Sequence, residues 1–241
     1  MPTAGELSWN LDAMKRSHLL PAAAPPPGRT GLRCSGARPA LAHLACLLAL
    51  AAAPPAGAAA DFDHALTPTD AGPWARRYTL GIEYGVVATE LGGALWFGAQ
   101  DAIGRTFWQA VDASVESAAV AQGMKWGFGR ERPSQTRDPG DWFRGPRYQS
   151  FPSGEVTLQG SFVTPFLLAY GRSQPWIWAL EALPAYDAAA RVKEGAHWQS
   201  DVIAGWALGS GFGWLAARSE QPFFVSLLPR GLQAGLRASF Y

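Results

Sequence analysis

The stretch Arg191-Val192-Lys193-Glu194-Gly195-Ala196-His197-Trp198-Gln199-Ser200-Asp201 sets a guanidinium, an imidazole and a carboxylate at i, i+6 and i+10. Asp201 follows His197 by one helical turn, so a helix in this register lets its carboxylate hold one imidazole N–H, fix the tautomer and stabilise a cation on the ring. Upstream stands Lys125-Trp126-Gly127-Phe128-Gly129-Arg130-Glu131-Arg132-Pro133, a Lys, six residues, then Arg-Pro. Lys and Arg seven apart lie nearly two turns apart on one helix face, and both can meet a single anion: Arg as a planar fork, Lys as a compact charge. Between the two clusters lies Phe151-Pro152-Ser153-Gly154-Glu155. A Pro-Ser-Gly step before an apolar helix points amide hydrogens at an anion, and Gly154 lets the backbone come close. Cations, helix-start amides and an imidazole backed by a carboxylate are what a phosphate ester needs for attack by a nitrogen nucleophile.

These clusters, in this order, resemble the type 2 phosphatidic acid phosphatase (PAP2) and vanadium haloperoxidase superfamily. Its motifs are Lys-x6-Arg-Pro, Pro-Ser-Gly-His and Ser-Arg-x5-His-x3-Asp. The gaps between them here are 18 residues (134–151) and 35 residues (156–190), and the resemblance covers roughly residues 75–220. It implies an all-α bundle of five to six helices in which His197 attacks phosphorus, Asp201 supports it, and Lys125, Arg132, Ser153, Gly154 and Arg191 bind the phosphate oxygens. It implies no metal or cofactor, although vanadate fits the same phosphate site. Two positions depart from the pattern: Glu155 stands where the family has the His that protonates the departing oxygen, and Ala190 where it has Ser. A carboxylic acid protonates a leaving group only if its pKa is raised, whereas neighbouring cations push it down. Ala190 removes one hydroxyl, a loss of about 1 kcal/mol in phosphate binding.

The 241 residues carry a formal net charge of +1, which gives nucleic-acid binding no electrostatic support. Arg29, Arg33 and Arg38 precede an apolar run from Leu41 to Ala53, and Ala58-Ala59-Ala60 offers a small-residue cleavage site. Residues 1–60 therefore read as an upstream extension and secretory signal peptide, with Met14 a better start than Met1. Both cysteines, Cys34 and Cys46, fall in that segment. After it, 15 basic residues face 17 acidic ones, and Lys125 and Lys193 are the only lysines. The expected location is the periplasm or cell envelope, with peripheral membrane contact left open.

The remainder reads as a linker (61–75, with His64 in a mobile stretch), a helical domain (76–220) and a C-terminal hairpin or tail (221–241). Helices are expected over Arg77–Gln100 and Phe107–Met124, where Phe107, Val111, Val115 and Ala118 repeat at helical spacing. Pro139, Gly140, Gly145 and Pro146 punctuate a loop over 134–151. Further helices follow near 154–170, with Ser153 as its cap, near 175–190, and from Ser200 to Arg218. Trp142, Phe143, Tyr148 and Trp198 are candidates to touch an apolar leaving group. Asp112 and Glu116 read as a solvated face, and Arg130, Arg137, Arg144 and Arg147 as a diffuse positive field.

The functional expectation is a metal-independent phosphatase acting on a phosphate monoester or diphosphate, lipid- or isoprenyl-linked, through a phosphohistidine on His197. Two alternatives stand beside it: a catalytically impaired phosphate- or lipid-headgroup-binding protein of the envelope, and a vanadate-dependent haloperoxidase, which Glu155 disfavours.

Overall fold

The computed structural model describes residues 62–218 and the backbone of 225–228 and 231–234. The expected leader lies outside the described residues. The architecture is the expected all-α bundle: α1 (Arg76–Phe97), α2 (Ala102–Phe128), α3 (Gly154–Tyr170), α4 (Ala182–Lys193) and α5 (Gln199–Ala217). Short 3-10 turns cover Gly72–Trp74 and Pro175–Glu181. Strands β1 (Val225–Leu228) and β2 (Gly231–Ala234) pair antiparallel with Val225 opposite Ala234.

Helices α3 and α5 form the centre, with α2 against both, α1 against α2, and α4 against α3 and α5. Both central helices are apolar nearly all round, the pattern of helices enclosed by others. Gly205, Gly209 and Gly213 recur every fourth residue along α5 and let it touch α3 backbone to backbone. A Cβ on Gly209 would lie 2.0 Å from the Thr157 carbonyl oxygen, and one on Gly205 would lie 2.5 Å from that of Ser153. Because position 205 meets 153 and 209 meets 157, the two helices run parallel, and their N-termini arrive together. The Ser153 N–H donates to the Asp201 carbonyl at 3.0 Å. Glycine spacing on α5 is thus what brings the second cluster to the third. Val86, Phe162, Val163, Phe166 and Leu167 fill the core at the other end.

Several elements depart from expectation. The helix expected over 175–190 begins as a 3-10 turn opened by Pro175, becomes α-helical only at Ala182, and runs on to Lys193. Arg191 therefore sits in a last helical turn rather than in a loop. Residues 62–75 are pinned to the domain. Asp63 is 3% exposed and accepts from the Ser200 amide (2.8 Å) and hydroxyl (2.6 Å). Gln199 brackets the His64 backbone with two 2.9 Å bonds, so His64 is held rather than mobile. Asp112 is buried, not on a solvated face.

Candidate active site

Five helix ends converge: the C-termini of α2 and α4 and the N-termini of α1, α3 and α5. Lys125 occupies the last turn of α2, which Gly129 ends at φ 45°. Beyond it the chain is stapled to the third cluster on both sides of Arg132: the Trp198 indole N–H donates to the Glu131 carbonyl (2.8 Å), and the Ser134 N–H to the Gly195 carbonyl (3.0 Å). Helix α4 ends at Gly195, φ 68°, where the Ala196 N–H turns back to the Arg191 carbonyl (3.0 Å). That left-handed closure needs glycine, and it presents His197 beside Arg191.

His197 is 3% exposed. Its Nδ1 lies 2.7 Å from the Ser150 carbonyl oxygen and 3.7 Å from Asp201 Oδ2. A carbonyl only accepts, so Nδ1 carries the hydrogen, and Nε2 keeps a lone pair. Burial pushes the imidazole pKa down to about 4; Asp201 opposes this, and Lys125 and Arg132 reinforce it. The ring is therefore neutral at ordinary pH, the state in which it can act as a nucleophile. The expected Asp201 bond is in effect shared with Ser150: its hydroxyl donates to Asp201 Oδ2 (2.5 Å) while its carbonyl takes the ring N–H. Asp201 also accepts from the Trp198 N–H (2.9 Å), capping α5.

Arg130, read from sequence as part of a diffuse field, is fully buried. Its guanidinium joins Asp201 (2.6 Å) to Asp63 (2.7 Å) and lies over the Trp142 and Trp198 rings at 4.2 and 5.3 Å. Trp142 and Trp198 are thus structural walls rather than leaving-group contacts, and Trp142 also packs on Phe128 and Phe151. Phe143 alone of these aromatics is strongly exposed, at 73%.

The phosphate-binding candidates gather around His197 with capacity to spare. Lys125 Nζ donates to the Gln149 and Pro152 carbonyls (2.9 and 2.7 Å), leaving a third N–H; burial first, then Arg132, brings its pKa down to about 8. Arg132 is half-buried, and its guanidinium donates to no protein atom among the described residues. Burial and then the charge of Arg191 lower its pKa. The Ser153 hydroxyl, expected to cap α3, makes no cap and has no partner although buried. The first amides of α3, from Gly154 on, have no helical acceptor. Arg191 pairs with Glu194 through one terminal nitrogen, and its Nε, 3.7 Å from Glu155 Oε1, has no hydrogen bond. Mutually repelling cations, an unpartnered hydroxyl and unpartnered helix-start amides are together suited to an anion.

Glu155 is held differently from a proton donor. Arg76 grips it as a fork, at 2.5 and 2.8 Å, and Arg191 lies alongside. Burial raises its pKa, but the Arg76 hydrogen bonds and the Arg191 charge outweigh this, and the carboxyl stays ionised. Arg76 is the partner of Glu155 that sequence reading missed. Its signal was available: two arginines opening a helix, where acids are favoured, call for a carboxylate partner elsewhere. Ser150 carried no such signal. A groove of about 630 Å³ is lined by Pro73, Arg77, Tyr78, Ile82 and Tyr186.

Residues 110–224 match the family described as the PAP2 superfamily. Lipid A 1-phosphatases of Rhizobium johnstonii and Rhizobium etli are each 37% identical over 108 residues, which is 43% of this chain and 43% and 45% of theirs. An undecaprenyl-diphosphatase of Sulfolobus acidocaldarius is 33% identical over 90 residues, 37% of this chain and 42% of that protein. The match thus spans less than half the length of these curated relatives. No solved structure matches. Among the described residues no helix is long and apolar enough to cross a membrane. With the three clusters drawn together at one end of an all-α bundle, residues 110–224 are similar to the PAP2 superfamily.

Proposed function

We propose that the chain is a metal-independent phosphatase of the cell envelope that cleaves a terminal phosphate from a lipid- or isoprenyl-linked diphosphate. The observation that carries this reading is the 2.7 Å contact of His197 Nδ1 with the Ser150 carbonyl oxygen. Ser150 holds its Nδ1–H, which leaves Nε2 its lone pair, and the charges of Lys125 and Arg132 reach the ring. Nε2 attacks phosphorus, the P–O bond to the leaving group breaks, and a phosphohistidine forms. Water then attacks the phosphohistidine, the N–P bond breaks and inorganic phosphate departs. Asp201 and the Ser150 carbonyl stabilise the ring as it becomes positive, and the three cations with the Ser153 hydroxyl and the α3 amides hold the equatorial oxygens.

Glu155 narrows the substrate. Locked to Arg76 as an anion, it has no proton for a departing alkoxide. A leaving phosphate needs none, which favours a diphosphate over a monoester. The similarity to an undecaprenyl-diphosphatase of Sulfolobus acidocaldarius supports this choice. The groove lined by Pro73, Tyr78, Ile82 and Tyr186, beside the residue that follows Arg76, supports a hydrocarbon on the substrate. The same locked carboxylate favours a second reading, a headgroup-binding protein without turnover. The test is phosphate release from an isoprenyl diphosphate by purified protein. Release that EDTA leaves intact and His197→Ala abolishes supports the first reading; binding without release at any pH from 4 to 8 supports the second.

A further inference from the structure

One buried acid next to the site has no part in this chemistry. Asp187 lies on α4 one turn before Arg191; it is 0% exposed, and neither carboxylate oxygen has a hydrogen-bond partner. Gln159 lies on α3 one turn after Glu155, is equally buried, and has no partner for its amide nitrogen or oxygen. Since α3 begins at the site and α4 ends there, the two lie at one depth, a turn inside the Glu155–Arg191 approach of 3.7 Å. An interior carboxyl with no donor is tolerated as the neutral acid; as an anion it must find a cation. Four residues on, along the same helix face, Arg191 Nε is itself unsatisfied.

We propose that Asp187 is a positioning residue for the oxyanion. As the neutral acid it leaves Arg191 extended to the phosphate pocket, and as the anion it draws the guanidinium back one turn, away from the bound group. The inference rests on Arg191 binding phosphate, as read above, and adds pH control to it. The charges acting on Asp187 are Glu155 on α3, Arg191 on its own helix, and Arg76 and Glu83 on α1. Asp201, the acid on α5, is tied to Arg130, Ser150 and Trp198, and Glu181, before α4, is engaged with Trp206. The 3-10 turn Gly72–Trp74 carries no charge. Burial, then Glu155, raises the Asp187 carboxyl to about 7, against Arg191 and Arg76. An oxyanion seated on Arg191 repels a negative Asp187 further, so binding and protonation reinforce each other.

The test is calorimetric binding of inorganic sulfate, whose charge is constant across the range, to the full chain at pH 6 and 7.5. Both values lie below the Lys125 pKa of about 8. Wild-type affinity should fall about fourfold over that interval, and about half a proton should be taken up per sulfate at pH 7. Asp187→Asn, with the shape of the neutral acid, should bind with no such fall. Uptake that persists in His197→Ala excludes the imidazole as its source, and because it is read without altering Asp187 it serves should Asp187→Asn fail to fold. A pH-independent wild type, an undiminished fall in Asp187→Asn, or no proton uptake overturns the inference while leaving the phosphate site intact. No sulfate binding at any pH overturns the phosphate site and the inference together.

Discussion

Replacing Arg130 by Met tests how the nucleophile's support is built. The guanidinium is fully enclosed, holding Asp63 at 2.7 Å and Asp201 at 2.6 Å, with the Pro139 carbonyl also at 2.7 Å. Methionine keeps an unbranched side chain but removes the guanidinium that lies over Trp142 and Trp198, and it strands two buried carboxylates. Removing one partner of a buried ion pair costs about 3–5 kcal/mol, because the remaining charge is left uncompensated. That is a large share of a total stability on the order of 5–15 kcal/mol. Urea unfolding at pH 7 should therefore show a loss in that range, shrinking at pH 4.5 as the stranded carboxylates take up protons. Adding Asp63→Asn removes one stranded charge, so the double variant should be less damaged than the sum of the singles by about 1 kcal/mol or more. A loss below about 1 kcal/mol, as at an exposed pair, or strict additivity, would refute the view that Arg130 neutralises the two acids and anchors residues 62–75.

Three further outcomes follow from the geometry. Gly209→Ala pushes a methyl to 2.0 Å from the Thr157 carbonyl, so it should cost about 1–3 kcal/mol in urea unfolding and loosen the α3–α5 register; a change within about 0.5 kcal/mol would mean the helices are not in backbone contact. Glu90 is buried, accepts from Ser114 (2.7 Å), and burial raises its carboxyl to about 7. The folded state then binds more protons than the unfolded one between pH 4.5 and 7, so Glu90 makes stability fall across that window by about 3 kcal/mol; Glu90→Gln should remove that share and leave the share due to Asp187, and an unchanged stability profile would refute it. Glu155→His alone strands Arg76 beside a new imidazole, whereas Glu155→His with Arg76→Met supplies an acid without that mismatch; the double variant, not the single, should hydrolyse an alkyl monoester faster than wild type, and equal rates would mean the second-cluster acid does not limit turnover.

What the sequence made legible follows from what short-range pattern encodes. Helix type and order were readable because apolar spacing and Gly-Pro punctuation are local, and α3 was placed nearly to the residue by Pro152-Ser153-Gly154. The 3-10 start of the fourth segment was not, since Pro175 and Pro184 suit either geometry at a helix opening. Lys125, Arg132, Arg191 and His197 were singled out because the family pattern fixes their spacing. Arg76, Arg130 and Ser150 were missed because their roles come from partners 79, 71 and 47 residues away, which no window along the chain contains. Asp63 was assigned to a linker for the same reason: it is structural only because Ser200 and Arg130 meet it.

The most direct measurement is a rapid acid-free quench of the full chain with an isoprenyl diphosphate labelled in its terminal phosphate, followed by peptide mapping. The account predicts transient label on the peptide containing His197, stable to base and lost in acid, and absent in His197→Ala. Phosphate release with no protein-bound label at any quench time, or label on another residue, would contradict it.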